Sequence, residues 1–123
     1  MEFLNKYAPQ ALGVLRIVTG LQYLEHGTSK LLNFPPAHMA PLMSLAGAAG
    51  VIEIVAGILI TIGLFSRYAA FIASGEMAFA YFMAHFPRSF FPLLNGGDTA
   101  ICFCFIFLYI ACAGPGAFAL NRK

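Results

Sequence analysis

Arg16, Glu53 and Glu76 are ionisable residues that each stand inside a long apolar stretch. A lone charge costs about 2.5–3.5 kcal/mol at mid-bilayer on insertion scales. Three such residues on three segments are therefore expected to face one another, and an arginine can satisfy a carboxylate by bidentate hydrogen bonding. At ~1.5 Å per helical residue, Arg16 and Glu76 lie at a similar depth, roughly 12 Å from the same end of the molecule. The expected arrangement is a buried Arg16–Glu76 pair with Glu53 just beyond it. His26, Lys30 and His85 fall near the far ends of their segments, where a histidine is either hydrated or caps a pocket and exchanges protons near neutral pH. With Tyr23, Asn95 and Asp98 they complete a candidate intramembrane polar cluster suited to binding a ligand. No residue type or spacing singles out a catalytic group, and none selects for a metal.

The stretch "YLEHGTSK", Tyr23–Lys30, sharpens this reading. Arg16, Tyr23 and Lys30 recur at intervals of seven, so on a helix they form one narrow stripe, with Gly20 and Gly27 beside it. Glu25 is about 180° from Arg16 and His26 about 80° off the stripe. Lys30 and His26 are expected to share a cavity, whereas Glu25 points elsewhere. Two readings stay open: the buried ions fix helix register, or they line a site for a polar or redox-active small molecule.

Composition decides the medium. The chain is 60% hydrophobic and 10% charged, with 13 phenylalanines among 123 residues; an average soluble domain is about 25% charged. A soluble domain of this size cannot bury so much apolar surface, so the composition indicates an integral membrane protein and excludes a soluble enzyme. A dispersed net charge of +2, without a basic patch, argues against nucleic acid as a partner. Cys102, Cys104 and Cys112 show no CxxC spacing, so they read as buried small residues rather than a disulfide or dithiol pair.

The elements that must position the cluster are four apolar segments, at about 8–32, 45–65, 68–86 and 98–113, each near the length a bilayer requires. Pro9 suits a first helical turn, the prolines of "NFPPAHMAP" stop the first segment, and "SR" turns between the second and third. "PRSFFPLLNGG" breaks the chain again and supplies an aromatic interfacial belt. Asp98 is placed to N-cap the fourth helix. Gly47, Gly50 and Gly57 permit close helix approach. The first segment carries Arg16 and Glu25 and lacks a small-x-small cleavage site, so it reads as a retained helix. The fold class is all-α, a single transmembrane four-helix bundle over residues 1–123. Lys6, Arg67, Arg122 and Lys123 on the terminal side, against Lys30 and Arg88 opposite, place both termini in the cytoplasm.

"LRIVTGLQYLEHGTSKLLNFP", "GVIEIVAGILITIGLFSR", "HFPRSFFPLLNGGD" and "GPG", in this order, resemble the DoxX family of small four-helix membrane proteins. The resemblance covers nearly the whole chain. It departs at Asp98, where the family usually has glutamate, and in the tail, which lacks the common Trp-Ser-Leu-Asp ending. It implies a plasma-membrane protein, of the bacterial inner-membrane type, related to components of oxidoreductase assemblies. No cofactor motif is visible, and a quinone-like ligand between the helices is the expectation, with electrons supplied by an oxidoreductase partner. The polar cluster would then handle the protons that quinone reduction consumes. The alternative is a non-catalytic transporter, which would need a homo-oligomer to form a pathway, or an accessory subunit that positions another protein.

Overall fold

A computed structural model describes residues 1–36 and 40–121. Among these the chain is all-α, with no strand. A 3₁₀ turn over Glu2–Tyr7 leads into α1 (Ala8–Leu32), α2 (Leu45–Ile62) and α3 (Ser66–Ala80). The rod of α3 continues through a π-helical turn, Tyr81–His85, and a 3₁₀ turn, Phe86–Arg88; a short α4 (Pro92–Asn95) and α5 (Asp98–Ala113) follow. Pro9 stands in the first turn of α1, where its missing N–H costs nothing. Ser44 caps α2 by accepting a hydrogen bond from the Gly47 N–H at 3.0 Å, satisfying one of the donors every helix start leaves open.

The second segment ends three residues earlier than its hydropathy suggests. Gly63 takes a left-handed φ of 75°, its N–H reaches the Ile60 carbonyl, and the Leu64 N–H reaches back to Leu59. This is the Schellman arrangement that closes a helix. The third helix correspondingly begins at Ser66 rather than Tyr68. By length and composition together α2 is the one helix among the described residues suited to cross a membrane unaided, with a mean hydropathy of 2.2. The 25 residues of α1 are diluted by polar side chains, and the apolar α5 has 16, short of the ~20 that span a bilayer core.

The long helices pack as antiparallel pairs, α1 against α2 and α3 against α5, joined through α2 and α3. In the first pair the backbones come close at Gly27, where a Cβ would stand 2.8 Å from the Ile54 nitrogen and 2.9 Å from the Gly50 oxygen. Small residues allow such approach where dispersion, not water, drives helix association. Between the pairs lies a layer of Tyr23, Ala70, Ala73, Met77, Phe103 and Phe107. The Tyr23 ring meets Phe107 edge-on at 4.9 Å and Phe103 at 6.1 Å, a favourable aromatic geometry. Cys102 and Cys112 are exposed and Cys104 partly so, which corrects their expected burial: α5 turns Phe103, Phe107 and Ile110 inward instead. Phe82, Phe86, Phe90 and Phe91 are exposed and run edge to edge along the loop that follows α3.

Arg16 does not pair with Glu76. Its guanidinium, fully buried, donates only to backbone carbonyls: Nε to Ile60 at 2.9 Å, Nη1 to Pro115 and, at 3.0 Å, to Ala117, and Nη2 to Phe118 at 2.9 Å. Helical side chains lean toward the N-terminus of their own helix, which carries Arg16 away from Glu76 and toward the closing turn of α2. There the Ile60 carbonyl, whose second lone pair is open beside the Gly63 N–H, and the negative end of the helix dipole receive a cation. The tail that supplies the other carbonyls is itself pinned, with Ala117 N–H on the Pro9 carbonyl, Leu120 N–H on Ile62 and Asn121 N–H on Gly63. Arg67 repeats the device in the other helix pair, donating Nη1 to the carbonyls of Ala111 at 3.2 Å and Cys112 at 2.6 Å, at the end of α5. Arg122 and Lys123, counted above for orientation, lie outside the described residues.

Arg16→Ala should lower stability by about 3 kcal/mol, since it leaves a set of buried carbonyls without donors. Arg16→Lys should recover less than half, because an ammonium lacks the planar fork. Removing residues from Pro115 onward should cost a similar amount and add little to Arg16→Ala, as expected for one shared interaction. Unfolding titrations in mixed micelles measure all four proteins; additive losses would show that arginine and tail act independently.

Candidate functional site

With Arg16 withdrawn to the end of α2, Lys30, Glu53, Glu76, His26 and His85 gather around one cavity. A cavity of about 780 Å³ lies among the four long helices, within the size range of small-molecule sites. Most of its wall is apolar, including Ile52, Ile72, Phe79, Met83 and Phe103. Its polar lining comes from His26 and Lys30 on α1, Glu53 on α2, Glu76 on α3, His85 on the π turn and Thr99 on α5.

The floor is an ion pair. Lys30 Nζ contacts both carboxylate oxygens of Glu53, at 2.9 and 2.8 Å, and Glu53 is fully buried. A fully desolvated carboxylate needs such a partner. Glu76 lies beside Glu53 and takes the Tyr23 hydroxyl, which donates to its Oε1 at 2.8 Å. The heptad stripe of α1 thus makes three separate contacts. Arg16 holds the tail, Tyr23 holds Glu76, and Lys30 holds Glu53.

His85 reaches the cavity because the helix changes pitch. Pro87 has no N–H to continue an α-helix, and the Phe86 N–H bonds to the Tyr81 carbonyl across a π turn. Such turns shift the side chains beyond them around the helix axis and recur at functional sites. The His85 Nδ1 lies 3.1 Å from the Asn95 carbonyl oxygen, and the imidazole stacks on Tyr81. His26, by contrast, turns its ring edge-on to Phe103 at 5.6 Å.

Four of the expected cluster members do not line the cavity; Tyr23 is buried in the aromatic layer, with its hydroxyl on Glu76. Arg16 belongs to the tail contact described above. Asn95 is buried but structural: its Nδ2 donates to Tyr81 Oη and to the Ser89 carbonyl, both at 3.0 Å, and its Oδ1 accepts the Gly97 N–H at 2.8 Å. Every hydrogen-bonding group of the amide is committed to holding the loop. Asp98 is exposed, and Gly97, not Asp98, occupies the N-cap of α5 without a side-chain cap. Its carboxylate sits in the first turn, where the helix dipole favours it. Glu25 is exposed and outside the cavity. Thr99, which sequence reasoning passed over, joins the wall one position beyond Asp98. Among the described residues, no three His, Cys, Asp or Glu side chains are grouped to hold a metal ion.

Lys30→Met should destabilise the protein by about 3 kcal/mol, because it strands the Glu53 carboxylate. The double variant Lys30→Met/Glu53→Leu should recover most of that loss, an outcome that unfolding in mixed micelles reads directly.

Residues 11–86, from early α1 to the π turn, match the model of the DoxX family. That span includes every ionisable residue of the cavity. The chain is also 44% identical to an uncharacterized protein of Haemophilus influenzae, in an alignment of 133 positions that covers 100% of this chain and 97% of the relative. No solved structure matches it significantly. The chain belongs to the DoxX family of membrane proteins.

Proposed function

We propose that the four long helices cross a bacterial-type inner membrane with both termini in the cytoplasm, and that the cavity binds a small lipid-soluble molecule with a polar, redox-active head, of the quinone class. The cavity itself carries this reading: about 780 Å³ of mostly apolar wall over a floor of one ammonium and two carboxyl groups. An apolar body with a polar head fits such a lining. Lys30, Glu53 and Glu76 together are electroneutral when they hold one proton between the two carboxyls, so the floor can give or take a proton while staying within one unit of charge. That is the proton handling a quinone-like head demands, with His26 and His85 as further stations toward the loop end. Electrons would come from a partner protein or a soluble donor, which makes the protein a component of a membrane oxidoreductase.

The packed layer of Tyr23, Phe103 and Phe107 favours a closed binding site over permeation through a single chain. The exposed rings of Phe82, Phe86, Phe90 and Phe91 suit the headgroup region, where aromatic side chains anchor membrane proteins.

Full-length protein in lipid nanodiscs, titrated calorimetrically with a trimethyl-decyl-benzoquinone, whose ring has no open carbon, tests the reading. Ala49→Phe places a ring within the lined volume and should weaken binding at least about tenfold, corresponding to ~1.4 kcal/mol, with little change in unfolding. Affinity that is unchanged in this variant would place the probe outside the cavity and overturn the proposal.

A further inference from the structure

The polar groups of the cavity are unequal in what they can offer a ligand. Lys30 has three N–H donors, and two are directed at Glu53. The Tyr23 hydroxyl is given to Glu76, and the Asn95 amide is consumed by Tyr81, Ser89 and Gly97. Glu76 keeps its second oxygen. Ionised, that oxygen accepts; protonated, its O–H has the neighbouring Glu53 carboxylate as a charged acceptor within the protein. Neither state leaves the ligand a free donor.

His85 adds to the same imbalance. Its Nδ1 faces a backbone carbonyl, and a carbonyl only accepts, so the hydrogen sits on Nδ1. The neutral ring then keeps Nε2 as a bare lone pair. Thr99 and His26 can serve either way. The fixed inventory is therefore one remaining Lys30 proton against the acceptors of Glu76 and His85.

We infer that the cavity selects a ligand head that donates hydrogen bonds, a phenol or hydroquinone, over the dicarbonyl form of the same ring. This rests on the binding reading above and refines its substrate class. A dicarbonyl head would set its oxygens against the Glu76 oxygen and the His85 lone pair, leaving buried acceptors facing acceptors. A hydroxyl head satisfies both. Mismatches of this kind discriminate far more strongly than differences in apolar fit.

The test compares tetramethylhydroquinone with tetramethylbenzoquinone, titrated anaerobically into full-length protein in nanodiscs. The fully substituted ring leaves no open carbon for the exposed Cys102 and Cys112 to attack. The reduced form should bind at least about tenfold tighter. Glu76→Gln, whose amide brings a donor, should cut the preference to within about threefold. His85→Phe should weaken binding of the hydroquinone and leave that of the quinone nearly unchanged. Equal or tighter binding of the quinone by the unaltered protein would overturn the selectivity while the cavity remains a quinone-class site. A preference that survives in both variants would overturn the assignment to Glu76 and His85. Binding of neither ring would overturn this inference together with the binding reading on which it rests.

Discussion

A charge buried away from water must be met, and the way Arg16 is met sets the terms for the rest of the molecule. Its guanidinium binds carbonyls from the end of α2 and from the tail. These atoms belong to parts of the chain far apart in sequence. A carboxylate partner would have closed a contact between two side chains; four carbonyls instead tie α1, the α2 turn and residues 115–118 into one knot. Because the three tail carbonyls lie outside any helix, the arginine satisfies them while they satisfy it. Neither carboxyl group is then needed to neutralise Arg16. Glu53 and Glu76 remain at the other end, where Lys30 is the cation within reach.

That division of charge explains why much of the cluster was legible in the sequence and its pairing was not. The interval of seven that links Arg16, Tyr23 and Lys30 is a property of helical geometry, and Arg16, Tyr23 and Lys30 do share an inward face. The separation of Glu25 from that face follows from the same geometry. Depth counted from assumed segment ends, however, misses the register in which the helices pack. Gly20 meets Thr61 and Gly27 meets Ile54, which sets Arg16 level with the end of α2, whereas Glu76 stands ten residues into α3 from that same end, roughly 15 Å away. Backbone acceptors are also invisible to a census of side chains. Two signals did point to them: Gly63, a left-handed helix stop beside Arg16, and the Gly114-Pro115-Gly116 run, whose carbonyls cannot all be used within a helix.

Asn95 and Asp98 were misplaced for a related reason. Polar residues flanking a glycine pair suit a ligand site and a loop brace equally well, and only tertiary packing decides. Tyr81, buried at the start of the π turn, supplies a hydroxyl that draws Asn95 inward. With the amide committed there, the Asn95 carbonyl is set to receive His85. The loop thus contributes to the cavity indirectly, by fixing the imidazole that lines it. The pitch change that brings His85 to the wall depends on Pro87, whose effect on helix termination was readable while its effect on the preceding turn was not.

The two cations of the α1 stripe are not interchangeable, and their chemistry matches their positions. Arginine offers five donors in a rigid plane and stays protonated, which suits Arg16, where several fixed carbonyls must be held at once. Lysine carries a point charge on a flexible stem and can move or release a proton. At Lys30 the flexible stem lets the ammonium stay part-exposed to the cavity while its Glu53 partner is fully buried. In the binding reading proposed above, a ligand head approaching the floor would compete for the remaining ammonium proton without dismantling a backbone contact. An arginine at position 30 would lock Glu53 in a bidentate fork and stiffen the floor. A lysine at position 16 would leave carbonyls of the tail without donors. The order of the two residues along one helix therefore assigns permanence to the end where the chain is tied down and adjustability to the end that holds the cavity.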